Sequence, residues 1–88
     1  MPRYFFHTED GRAFHDGDGT RLADDAAARI QAARVLAQLL IERPADVWKD
    51  DPFQITVTDE RGVTLFSLDI TALRSPAAGG ATRFGAQT

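Results

Sequence analysis

From Ala26 to Arg43 the chain passes without a glycine or proline through residues that lose little on entering a helix, and Pro44 then stops it. Asp24 or Asp25, just ahead of the run, can accept from the free N–H groups of a first turn and meet the positive end of the helix dipole. A helix over residues 25–43 is the fixed point of the fold. At 3.6 residues per turn Ala26, Ile30, Ala33, Leu36, Ala37, Leu40 and Ile41 gather into one wide stripe, the face expected to cover a sheet. Ala28, Ala32, Val35 and Leu39 form a narrower apolar group roughly opposite. One sheet cannot cover both faces, so these four are expected to meet the same helix of a second copy.

The rest of the chain reads as strands. Tyr4, Phe6 and Thr8 alternate with Arg3, Phe5 and His7, and both sets carry aromatics, which suits a strand with neighbours on both sides. Glu9-Asp10-Gly11 is a turn, and residues 12–16 are expected to return as a second strand with Phe14 pointing inward. The glycine- and aspartate-dense stretch from Asp16 to Thr20 reads as a turn, with a short extended piece at 20–22. Val47 and Trp48, between Pro44 and Pro52, are expected to fold back onto the core edge. Phe53, Ile55 and Val57 alternate with polar residues, Asp59-Glu60-Arg61-Gly62 turns the chain, and residues 63–70 form the last strand. For that strand two inward faces compete, Val63 with Leu65 against Phe66, Leu68 and Ile70. The expectation is an α+β domain over residues 1–73: a four-stranded, mainly antiparallel sheet in β-β-α-β-β order, with the helix on one face. Residues 74–88, poor in large apolar side chains apart from Phe84, are expected to be a flexible tail.

With 88 residues there is room for one core. Ten basic against thirteen acidic residues argue against a general attraction to nucleic acid or anionic membrane, although every basic residue except Lys49 is Arg, the type suited to bidentate phosphate contacts. The absence of cysteine excludes disulfides, thiolate catalysis and Cys-type metal sites, and fits a reducing compartment, so a cytoplasmic location is expected. The aromatic opening is too short for a signal-peptide core, and residues 35–41 are too short to span a bilayer.

The opening Pro2-Arg3-Tyr4-Phe5-Phe6-His7, the Asp10-Gly11 turn, Asp16 through Gly19-Thr20, the Asp24-led helix and the closing Phe53-x-Ile55-x-Val57-x-Asp59-x-x-Gly62 together resemble an uncharacterised family of short bacterial proteins. The resemblance covers residues 2–70 and implies the domain boundaries. It brings no assigned activity. His7 stands where members commonly carry Asp.

Three kinds of chemistry remain to be weighed. His7, Asp10, His15, Asp16 and Asp18 are close in sequence, and His7, His15 and Asp16 are the candidate metal ligands, because a hairpin would bring the two imidazoles together and imidazole with carboxylate suits zinc or another transition metal. Ordinary strand and turn roles explain the same residues. A calcium loop starting at Asp16 fails, since Arg21 and Ala27 occupy the positions that need glycine and a bidentate glutamate. For hydrolysis His7 or His15 would have to activate Ser67, Ser75 or a threonine, and no nucleophile elbow or phosphate loop is present. The expected role is therefore a non-catalytic protein-interaction or regulatory domain, without cofactor, that forms a homodimer through Ala28, Ala32, Val35 and Leu39 and can take a further protein partner. The alternatives are a nucleic-acid-associated or antitoxin-like regulator, and a metal-binding domain built on His7 and His15.

Overall fold

The computed structural model describes residues 1–49 and 52–75. The elements follow in the order β1 (Arg3–Glu9), β2 (Ala13–Phe14), β3 (Thr20–Arg21), α1 (Asp25–Glu42), a 3-10 turn (Asp46–Trp48), β4 (Phe53–Thr58) and β5 (Thr64–Ile70). All pairings are antiparallel, in the order β2-β1-β4-β5, with β3 also on β1. Among the described residues the fold is the expected α+β class with one helix on a sheet, but the sheet has five strands rather than four. The extra one is the extended piece at Thr20–Arg21.

The core is the contact between α1 and the middle of the sheet. Phe53, Ile55 and Val57 on β4 are fully buried, joined by Tyr4 and Phe6 on β1 and by Val47 of the 3-10 turn. Val57 and Ile55 lie opposite Phe66 and Leu68, and cross-strand partners share a face, so Phe66, Leu68 and Ile70 are the helix side of β5. That decides between the two faces left open by the sequence. Truncating a side chain such as Ile55 to alanine costs about 2–5 kcal/mol in a core of this kind.

The helix turns toward the sheet the face expected to meet a second copy, together with Leu36 and Leu40 from the edge of the stripe expected to cover it. Ala28, Ala32 and Leu36 are buried in the core, and Val35 and Leu39 pack against it. Ile30 and Ile41, expected inside, are 55% and 71% exposed, with Ala33 and Ala37 exposed beside them. The reason is steric and polar together. Small residues on the helix let its axis come close to the large side chains of β4, which fill the space from the sheet side. Two clamps then fix the rotation: the Tyr4 hydroxyl donates to Asp25 Oδ1 at 2.7 Å, and Arg43 pairs with Asp10, whose side chain is only 7% exposed. Asp25 and Arg43 are about five turns apart and share one side of the helix. Since Ala28 and Ala32 are at most 1% exposed, the helix contact proposed on them is not available to another protomer.

The N-terminus of α1 is capped by Asp24, whose carboxylate accepts from Ala27 N at 2.9 Å. Val47 folds into the core as expected, while Trp48 stays 46% exposed. No helix among the described residues is long and apolar enough to cross a membrane. Most of the segment expected as a tail, including Phe84, lies outside the described residues.

Candidate functional site

The candidate ligands meet on the face of the sheet away from the helix, where β1 places His7. Its ring stacks on that of His15 with centroids 4.3 Å apart, so the hairpin does bring the two imidazoles together. Asp16 joins them through its backbone: its N–H donates to His7 Nδ1 at 3.1 Å. Because Nδ1 accepts, the neutral ring carries its proton on Nε2, which donates to Thr58 Oγ1 at 3.0 Å. Both ring nitrogens are thereby engaged. Burial holds the His7 pKa below its ordinary value, with His15 adding to the effect and the Asp16 carboxylate opposing it.

Asp16 is engaged still more completely. Oδ1 accepts from the N–H groups of Asp18 and Gly19, and Oδ2 from that of Phe6. Burial alone would raise its pKa, but these donors at Gly19, Phe6 and Asp18, with His7 nearby, bring it below the usual carboxylate value. The bond to Phe6 explains the loop. β2 pairs with Thr8 and Glu9, and β3 with Arg3 and Tyr4, which leaves the middle of that edge of β1 without a strand. Alternate residues of a strand send their backbone groups to the same edge, so Phe6 N–H faces this gap. The Asp16 carboxylate fills it.

This accounts for the shortness of β2. The expected strand over 12–16 is reduced to Ala13–Phe14 because Asp16 leaves the ladder to serve as an acceptor, and Phe14, expected inside, is 60% exposed. Gly19 closes the loop at φ +73°, where a Cβ would meet Arg3 Cγ at 2.8 Å and Phe5 Cε2 at 2.9 Å. Arg3 also donates to the Asp18 carbonyl at 2.8 Å.

The arrangement suits architecture better than chemistry. A metal ligand or general base needs a free lone pair, and the one on neutral His7 is held by Asp16 N–H. Among the described residues no three His, Asp or Glu side chains are grouped to hold a metal ion. Ser67 pairs with Thr56, and Thr56 with His7, so Ser67 is two strands, about 10 Å, from the imidazole. Ser75 lies beyond the end of β5. Open depressions lie nearby, one of them, of about 270 Å³, over His7, His15, Phe14 and Thr56. A groove of about 620 Å³ between α1 and the β1–β2 hairpin is lined by Phe6, Thr8, Arg12, Phe14, Val35 and Leu39, without either histidine. A shallower one of about 360 Å³ lies over Phe5, His7, His15 and Asp59.

Sequence reasoning did not find Thr58 as the partner of His7, the Asp10–Arg43 pair or the Tyr4–Asp25 bond. Asp10 read as a turn residue and as a carboxylate close to the histidines in sequence, not as a partner of Arg43. Tyr4 read only as a strand aromatic.

The described residues thus form an α+β domain whose first strand is sealed along its edge by an acidic loop. A family model described as Domain of unknown function (DUF6894) matches residues 3–71, and the chain belongs to that family. No curated protein and no solved structure matches it.

Proposed function

We propose that the domain is a non-catalytic protein-interaction module of the cytoplasm that self-associates, with its contact on the β5 side of the sheet. One observation carries this reading. Leu68 lies directly opposite Ile55 on the helix side of the sheet, yet Ile55 is fully buried and Leu68 is 40% exposed. The helix sits mainly over β4 and covers β5 only in part: Phe66 and Ile70 pack against the core while Leu68 does not, and Leu65 and Val63 on the same hairpin are 37% and 49% exposed. Apolar side chains gathered along one margin mark a contact surface more often than scattered ones do. The polar candidates point the same way: His7 and Asp16 have their capacity for proton transfer or metal binding taken up within the fold.

Light scattering after gel filtration tests the reading. At tens of micromolar the chain is expected at twice its own mass, and Leu68→Lys at the mass of one chain with an unchanged helical circular dichroism signal. A wild-type chain that stays monomeric under those conditions overturns the proposal.

A further inference from the structure

Resting on the self-association just proposed, we infer that the free edge of β5 pairs with the same edge of a second copy, antiparallel about a two-fold axis at Leu68, to make one continuous sheet. β5 is a terminal strand of the sheet, and its seven residues, Thr64–Ile70, carry a single charge, Asp69. Long edges with few charges are templates for further pairing unless something blunts them. The opposite edge is blunted by β2, β3 and the Asp16 carboxylate. On β5 the ladder shifts register at Leu65, between the Val57–Phe66 and Thr58–Thr64 pairs, and leaves the run from Phe66 to Ile70 regular and open.

The ladder determines which groups are free. Phe6 turns its N–H away from β4, so Phe5, His7 and Glu9 bond to β4 through Thr58, Thr56 and Gln54. It follows that Phe53, Ile55 and Val57 bond to Ile70, Leu68 and Phe66, and that Ser67 and Asp69 present their N–H and C=O groups to the open edge.

The sequence of the edge selects both the occupant and the register. A two-fold axis perpendicular to the sheet keeps helix side on helix side. With the axis at Leu68, Leu68 meets Leu68 of the second copy and Phe66 meets Ile70, all apolar and all on the helix side. On the other face Ser67 lies opposite Asp69, so a hydroxyl can donate to each carboxylate while Ser67 and Asp69 exchange backbone hydrogen bonds. Moving the axis to Asp69 sets two carboxylates directly against each other, which is destabilising. Moving it to Ser67 sets Asp69 against Leu65, and moving it further toward Thr64 draws the register shift at Leu65 into the pairing. The axis at Leu68 is therefore the register that pairs the whole regular run from Phe66 to Ile70 with itself. The chain's own segment 76–88 is a poorer occupant, since Pro76, Gly79 and Gly80 weaken strand pairing.

The absence of cysteine makes the test direct. In an antiparallel pair the two residues on the axis, if not hydrogen-bonded, have Cα atoms about 4.5 Å apart, within disulfide range. Leu68→Cys is expected to form a covalent dimer under mild oxidation at least tenfold faster than Ala37→Cys on the outer side of α1. Should Leu68→Cys weaken the contact, a mixture of Ser67→Cys and Asp69→Cys chains is expected to give the mixed cross-link in preference to either self-linked product. A dimer by mass that cross-links through Ala37→Cys, and through neither β5 arrangement, overturns the edge pairing and leaves self-association standing. A monomer by mass, including one that captures a peptide or other protein on β5, overturns both.

Discussion

Along one edge of the sheet β1 is met by two strands of two residues each, and an aspartate side chain fills the gap between them. Along the other, seven residues of β5 lie open with leucines exposed on and beside them. A sheet edge is a row of unpaired donors and acceptors, and the two treatments have opposite consequences. The first edge cannot add a strand without expelling Asp16. The second can add one at no cost in existing bonds. The residues that look chemical in the sequence belong to the sealed edge, and the residues that look merely apolar belong to the open one.

The largest test of this contrast is Asp16→Ala, which leaves the N–H groups of Phe6, Asp18 and Gly19 without their acceptor. We expect a loss of about 2–3 kcal/mol in urea unfolding, from hydrogen bonds to a carboxylate discounted for partial exposure. Asp59 also accepts from nearby N–H groups, those of Arg61 and Val63. Its turn is exposed and touches no other strand edge, so Asp59→Ala is expected to cost clearly less. Equal losses would break the comparison.

Next in size is the glycine pair. Gly19 and Gly62 both close Asp-x-x-Gly turns at positive φ, +73° and +82°. A Cβ on Gly62 meets nothing within 4 Å, whereas one on Gly19 collides with Arg3 and Phe5. Gly62→Ala should cost about 1 kcal/mol for the backbone conformation alone, and Gly19→Ala should cost about 2 kcal/mol or more.

The smallest effect is in pH. Folding lowers the His7 pKa from 6.5, so the folded chain holds fewer protons than the unfolded one once the pH drops below that value. The stability this contributes is complete above about pH 6.5 and declines as the pH falls toward the folded value, because protonated Nδ1 can no longer accept from Asp16 N–H. The Asp16 contribution is lost only at pH values below 3.8. His7→Asn keeps an acceptor without titrating, and is expected to remove the decline in urea midpoint between pH 7 and pH 5. An unchanged decline would assign it to another group.

The sequence made the helix legible because propensity, the Asp24 cap and Pro44 all act locally. It made the Phe53 to Val57 alternation legible for the same reason. The rotation of the helix was legible only in Leu36 and Leu40: ranking faces by bulk also favours Ile30 and Ile41, while the packed face is set by Ala28 and Ala32 against β4 and by the Tyr4–Asp25 and Asp10–Arg43 clamps. Those partners are 21 and 33 residues apart and leave no periodic trace. Asp16 was legible as a turn residue, and its stacked neighbours His7 and His15 as a pair. The role of Asp16 as the acceptor for a strand edge depends on where β2 stops, and that is decided by the tertiary structure.

Hydrogen exchange resolved to single amides, at two protein concentrations, addresses both edges at once. Phe6 should be protected equally at low and high concentration, because its acceptor is in its own chain. Ser67 and Asp69 should exchange freely when dilute and become protected when concentrated. If Ser67 and Asp69 exchange at the same rapid rate at both concentrations, or if Phe6 exchanges as fast as they do, the contrast between a sealed and an open edge is wrong.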